Sequence, residues 1–170
     1  MEKINVLISE SKIEKRLDEI AKQIMKDYKD EDLLFVGVLK GAAYFMIELA
    51  KRIKNSVEFE FIQTRSYEGT ESTGKVEIVQ DLSGKIEGKN VIIIEDIIDT
   101  GRTLEYLIRT LTFHNPKSIK ICTLLSKPSR RVVELEVDYI GFQIPDEFVI
   151  GYGMDYNQRY RNLPYIGVIK

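Results

Sequence analysis

Two hydrophobic rhythms alternate along the chain. Ile13, Leu17, Ile20, Ala21, Ile24 and Tyr28 recur at three- and four-residue spacing, which predicts an amphipathic first helix. Ser11-Lys12-Ile13-Glu14 has capping-box spacing at its start. The run LLFVGVL (33–39) is nearly all apolar and reads as a buried strand. It passes through Lys40-Gly41 into a second helix, with Phe45, Met46, Leu49, Ala50 and Ile53 on one face. Val57, Phe59 and Phe61 alternate with polar residues, as in a half-buried strand, and KVEIV (75–79) alternates again. Between them lies SYEGTESTG (66–74), a small, polar hairpin loop of a length that is usually either mobile or functional.

The second half repeats the scheme. VIIIED (91–96) is another buried strand, and after IIDTGRT a helix opens with Leu104, Leu107, Ile108 and Leu111 at i, i+3, i+4 and i+7. SIKICTLLSK (118–127) is the next strand. VDYIGF (137–142), FVIGYG (148–153) and YIGVIK (165–170) are short β segments separated by turns. Buried strands alternating with helices predict an α/β fold with a mainly parallel central sheet flanked by helices. Ligands of such sheets bind beyond the carboxyl ends of the strands. That rule selects three junctions: Leu39-Lys40-Gly41, Glu95 to Thr103, and Ser126-Lys127.

Length and composition narrow the classes. The 170 residues suit a single domain spanning 1–170, and 44% apolar with 31% charged residues is the balance of a folded chain. No apolar run approaches the roughly 20 residues of a membrane helix, and MEKINVLISE lacks the apolar core of a signal peptide. A cytoplasmic protein with no membrane partner is expected. A net charge of −2, with basic residues scattered apart from Lys127–Arg131, gives no nucleic-acid footprint. The single cysteine, Cys122, reads as a buried apolar residue, and the single histidine, His114, as a turn residue. Acid–base chemistry therefore falls to carboxylates or lysines.

VIIIEDIIDTGRT carries the chemistry. Four apolar residues bury a strand, and two carboxylates, Glu95 and Asp96, follow where it emerges. Alternation sends adjacent side chains to opposite sides, so the two acids are not expected to chelate one ion side by side. They can accept hydrogen bonds from ribose hydroxyls or hold metal-bound waters. Asp99 comes next, then Thr100-Gly101-Arg102-Thr103 at a helix start, where unpaired N–H groups and the helix dipole favour an anion. Sugar hydroxyls at the acids and a phosphate at the helix start together describe a ribose 5-phosphate. Either half alone reads more simply, as a helix N-cap or a solvated strand end. The strand also looks like one that positions magnesium in an ATPase, but no G-x-x-x-x-G-K-[ST] loop exists in the chain.

Four apolar residues, Glu-Asp, two apolar residues and Asp-Thr-Gly-x-Thr resemble the phosphoribosyl pyrophosphate (PRPP) signature of the type I phosphoribosyltransferases. The rest of the chain resembles the hypoxanthine(-guanine) branch: VGVLKGA its pyrophosphate loop, RSYEGTESTGKVEI its closing loop, and LLSKPSRR, VDYIGFQIPDEFVIGYGMDY and RYRNLPYIGVIK its base-binding and C-terminal segments. Ala42 stands where some members have glycine.

The resemblance implies a core over about 10–135 and a small hood built from the N-terminal segment and about 136–170. It implies a purine-salvage glycosyltransferase that moves 5-phosphoribosyl from PRPP to N9 of hypoxanthine or guanine. The products would be IMP or GMP and pyrophosphate, and magnesium the cofactor. Glu95 and Asp96 would face the ribose hydroxyls and hold magnesium directly or through water. Asp99 would exchange a proton with N7, and Thr100, Gly101, Arg102 and Thr103 would cradle the 5′-phosphate. Lys40, Gly41 and Arg161 would line the pyrophosphate pocket, with the Leu39–Lys40 peptide able to be cis. Ser66 and Tyr67 would sit on the closing loop. Lys127 would donate to the 6-oxo group, Phe148 would stack on the base, the Val149 backbone would meet its edge, and Asp155 would ligate magnesium beside the purine. A homodimer or homotetramer is implied. The rival readings are a phosphoribosyltransferase for xanthine or a pyrimidine, and a regulator that keeps the PRPP fold but binds RNA or DNA. A regulator should carry a basic face or an added binding segment.

Overall fold

The computed structural model describes residues 3–67 and 75–169. Helix α1 spans Glu10–Tyr28 and buries the six residues that its periodicity selects. Its cap is Ser9 rather than Ser11: Ser9, in extended backbone, accepts from the Lys12 N–H at 3.4 Å. A capping oxygen must stand one residue before the first helical one, and Ser11 already lies inside the first turn.

The buried runs become the middle of a six-stranded sheet. β2 (Leu33–Leu39), β5 (Asn90–Ile98) and β6 (Ser118–Ser126) lie in its interior. With β3 (Val57–Tyr67), β4 (Lys75–Gln80) and β7 (Tyr139–Gln143) the order is β4-β3-β2-β5-β6-β7. All neighbours pair parallel except the β3–β4 hairpin. Both faces are covered. Ile92 and Ile94 of β5 join a core with α1 and α2 (Ala42–Ala50), whereas Val91 and Ile93 join a second core with α3 (Arg102–Thr112). This alternation is why these strands are apolar at successive positions.

A second sheet is built from terminal segments. β1 (Ile4–Ile8), β9 (Ile166–Ile169) and β8 (Val149–Ile150) pair antiparallel in the order β1-β9-β8. Ile8, Val149, Tyr152, Met154 and Ile166 merge with the core on the α1 and α2 side, so this hood is anchored in apolar contact. The Gly153 backbone lies against the loop that follows β2: a Cβ there would stand 2.1 Å from the Gly41 carbonyl oxygen. Gly153 has φ +99°, which admits only glycine readily. Among the described residues no helix is long and apolar enough to cross a membrane.

Candidate active site

All three selected junctions sit at the carboxyl end of the parallel strands. β5 runs two residues beyond its acids, to Ile98, before Asp99-Thr100-Gly101 turns into α3. Gly101 is the N-cap, at φ +88°, and no side chain caps the helix. In its first turn the Arg102 N–H makes a long 3.4 Å contact to Thr100 Oγ1, and the Glu105 N–H closes onto the Gly101 carbonyl at 3.0 Å. A Cβ at Gly101 would meet Val133 Cγ2 at 2.8 Å and Arg131 Cδ at 3.0 Å, so both space and backbone demand glycine. A cavity of about 210 Å³ opens here, lined by Val38, Glu95, Asp99, Thr100, Gly101 and Thr103 among others. A larger hollow of about 460 Å³, beside Lys85, Phe113 and His114, lies at the opposite, amino end of β5 and holds no member of this constellation.

Glu95 and Asp96 continue the alternation of β5, Glu95 toward the α3 side and Asp96 toward the α2 side. Glu95 Oε1 accepts from the Asp96 N–H at 3.1 Å, and Asp96 Oδ1 accepts from the Ile97 N–H at 2.7 Å. Burial, then the neighbouring Asp96 charge, pushes Glu95 well above the usual carboxylate range. Asp96 is raised too, by burial, against the opposing effects of Glu95, its own backbone bonds and the Arg161 charge.

Asp96 abuts Gly41, whose preceding Leu39–Lys40 peptide is cis. Around them stands a polar cluster. Lys40 Nζ and Arg161 Nη2 both donate to Gln158 Oε1, each at 3.4 Å. Arg161 pairs with Asp155 Oδ1 at 2.9 Å and donates to the Gly153 carbonyl at 2.7 Å. The Gln158 N–H donates to Asp155 Oδ2 at 2.8 Å. Both oxygens of Asp155 are thus engaged within the chain. Among the described residues no three acidic, histidine or cysteine side chains converge as a ready metal cage.

The third junction is stitched to the first. Lys127 N–H donates to the Ile98 carbonyl at 2.9 Å, Arg131 Nε to the Asp99 carbonyl at 3.3 Å, and Val132 N–H to the Thr100 carbonyl at 3.1 Å. The Lys127 side chain is buried, with its ammonium 3.4 Å from Asp146 Oδ1. Phe148 is 59% exposed, although it lies next to the buried Val149 of β8. Its ring meets Tyr156 edge to face at 5.8 Å, leaving most of one aromatic surface open. Ser66 and Tyr67 do not stand in a loop: they extend β3, paired with Val76 and Lys75 of β4. Positions 68–74 of the expected closing loop lie outside the described residues.

Four further residues touch this constellation. Arg130 Nε donates to Asp99 Oδ1 at 2.9 Å, Asp146 faces both Lys127 and Arg130, Arg131 clamps the turn, and Gln158 joins Lys40, Arg161 and Asp155. Composition hints only at Arg130 and Arg131, which belong to the basic group Lys127–Arg131.

The chain resembles known proteins over nearly its whole length. The model of the phosphoribosyl transferase domain matches residues 7–157. Over 166 residues the chain is 49% identical to the hypoxanthine-guanine phosphoribosyltransferase of Bacillus subtilis (strain 168), covering 97% of this chain and 92% of that one. It is also 49% identical over 166 residues to the bifunctional protein TilS/HprT of Listeria monocytogenes serotype 4b (strain F2365), covering 97% of this chain. There the match spans only 26% of the relative, about a quarter of its length. The crystal structure of a hypoxanthine-guanine phosphoribosyltransferase from Bacillus anthracis matches with a TM-score of 0.92 at 46% identity, covering 99% of each chain. The α/β fold with its mainly parallel central sheet is thus that of the type I phosphoribosyltransferases, and the chain belongs to the phosphoribosyl transferase family.

Proposed function

We propose that this protein transfers 5-phosphoribosyl from PRPP to N9 of hypoxanthine or guanine, releasing pyrophosphate and yielding IMP or GMP for purine salvage. The observation that supports this best is the stitching of Lys127–Val132 along Ile98–Thr100. It holds an oxo-reading ammonium, a carboxylate and an anion cradle side by side. The first-turn N–H groups of α3, with Thr100, Gly101, Arg102 and Thr103, bind the 5′-phosphate. Glu95 and Asp96 take the ribose hydroxyls. As pyrophosphate departs and the ribose carbon becomes oxocarbenium-like, Asp99 exchanges a proton with N7 while N9 attacks. Lys127 donates to the 6-oxo group, Phe148 stacks on the ring, and the Val149 backbone meets its edge. Lys40, Gly41 and Arg161 receive the pyrophosphate.

Magnesium is the cofactor of this reading. The donor set suits it, being carboxylate oxygens: Asp155 directly, Glu95 and Asp96 directly or through water. When bound, magnesium neutralises the phosphates and eases the departure of pyrophosphate. Asp155 and Arg161 neutralise each other at 2.9 Å, and each exchanges that partner for a ligand of the opposite sign. Ser66 and Tyr67 are assigned to the closing side of the site on the resemblance alone. A cytoplasmic location, and a homodimer or homotetramer, rest on the same resemblance.

The test is pyrophosphate release from PRPP with magnesium and a panel of hypoxanthine, guanine, xanthine, adenine and uracil. Release with hypoxanthine or guanine, and IMP or GMP as product, is expected. Release only with uracil or xanthine, or with no base, overturns the proposal.

A further inference from the structure

Asp99 leaves the sheet at Ile98 and so has no strand neighbour to fix it. Two consecutive arginines replace that support. Arg131 works on the backbone: its Nε donates to the Asp99 carbonyl at 3.3 Å and its Nη2 to Ser126 Oγ at 2.9 Å. Arg130 works on the side chain, with Nε 2.9 Å from Asp99 Oδ1. A short 3₁₀ turn, Pro128–Arg130, sets where Arg130 emerges, and its N–H closes on the Lys127 carbonyl at 3.1 Å.

The guanidinium is planar and offers donors on separate edges. While Nε holds Asp99, Nη1 stands 3.6 Å from Asp146 Oδ2. Asp146 turns its other oxygen, Oδ1, to Lys127 Nζ at 3.4 Å. Four side chains of alternating sign thus form one line: Asp99, Arg130, Asp146, Lys127. Its two ends are the groups assigned to N7 and to the 6-oxo group of the base.

We propose that Arg130 is a positioning residue, which holds the Asp99 carboxylate in the orientation that proton exchange with the purine requires, with Asp146 coupling that pair to Lys127. The inference rests on the reading of Asp99 given under Proposed function. A role in holding the fold together is the weaker explanation. Arg130 and Asp99 have side chains 49% and 44% exposed, and ion pairs so open to water contribute little to stability. Orientation is another matter, because a small misplacement of a reacting group is costly in rate.

The experiment is a double-mutant cycle on the full chain, with Arg130→Gln, Asp99→Asn and both together. Arg130→Gln is expected to lower kcat about 10–100-fold and to leave KM for PRPP within about a factor of two. Arg130→Lys keeps the charge but not the fork, and should recover part of the loss. In the Asp99→Asn background, Arg130→Gln should cost nothing more. Multiplying losses, or wild-type kcat in Arg130→Gln beside an impaired Asp99→Asn, overturns the inference and leaves the reading of Asp99 intact. Wild-type turnover in Asp99→Asn overturns that reading, and the inference with it.

Discussion

Gly41 and Asp96 are in direct apposition: a Cβ built on Gly41 would stand 1.8 Å from Asp96 Oδ2. The backbone of Gly41 is ordinary, at φ −60°, so the glycine is required by space rather than by conformation. Through this contact the loop after β2 and the acid on β5 share one site. Gly41→Ala must push Asp96 or the start of α2 aside. Overpacking of this kind typically costs about 1–3 kcal/mol. The Asp96 carboxylate moves as well, so kcat/KM for PRPP should fall by more than the loss of stability explains. Thermal melts and steady-state kinetics on the variant check both. Unchanged kcat/KM would mean that the contact does not matter to the site.

Glu95 predicts a pH-dependent stability. Its folded pKa lies well above its ordinary value, so the native state keeps a proton that the unfolded chain releases above about pH 4.5. In that window the native state binds more protons, and stability falls as pH rises. Glu95→Gln removes the titration while its Oε1 still accepts from the Asp96 N–H. The variant should be more stable near pH 8, by about 1–3 kcal/mol, the scale of relieving a buried charged group. It should nevertheless be less active, since polar groups set for a substrate often destabilise the empty site. Melting temperatures of ligand-free wild type and variant from pH 5 to 8 should diverge upward. Parallel curves would contradict the raised pKa of Glu95.

Asp155 predicts a metal phenotype. Asp155→Ala removes a proposed ligand and also frees Arg161 from its ion pair. The magnesium concentration for half-maximal activity should rise by about 10-fold or more. A magnesium titration of turnover decides it. An unchanged midpoint removes Asp155 from the metal, and full wild-type activity in excess chelator removes the metal from the mechanism.

What the sequence disclosed divides along physical lines. β2, β5 and β6 were readable because burial on both faces leaves an uninterrupted apolar run, and α1 and α3 because their stripes have helical period. β1 was not, since Ile4–Ile8 becomes a strand only by pairing with β9 at the other end of the chain. Ser66 and Tyr67 looked like loop because composition does not reveal how far the β3–β4 ladder extends. The core of the site was readable because Glu95 to Thr103 is contiguous. Arg130, Asp146 and Gln158 were not, because each acquires its meaning from a partner distant in sequence: Asp99, Lys127 and Lys40.

Lys127 carries the central claim, that this site reads a 6-oxopurine. An ammonium donates and cannot accept. It satisfies the 6-oxo group of hypoxanthine or guanine but meets the 6-amino group of adenine donor to donor, and it is buried, so the mismatch is not relieved by water. Phe148, exposed and stacked edge to face on Tyr156, offers a π surface that any purine can use. The decisive measurement is kcat/KM for hypoxanthine, guanine and adenine in wild type, Lys127→Ala and Phe148→Ala. Wild type should reject adenine by about 10⁴-fold or more. Lys127→Ala should collapse that ratio, and Phe148→Ala should weaken all three bases alike. Adenine used as well as hypoxanthine by wild type would contradict the account. A ratio altered only by the Phe148 change would show that Lys127 is not the reader.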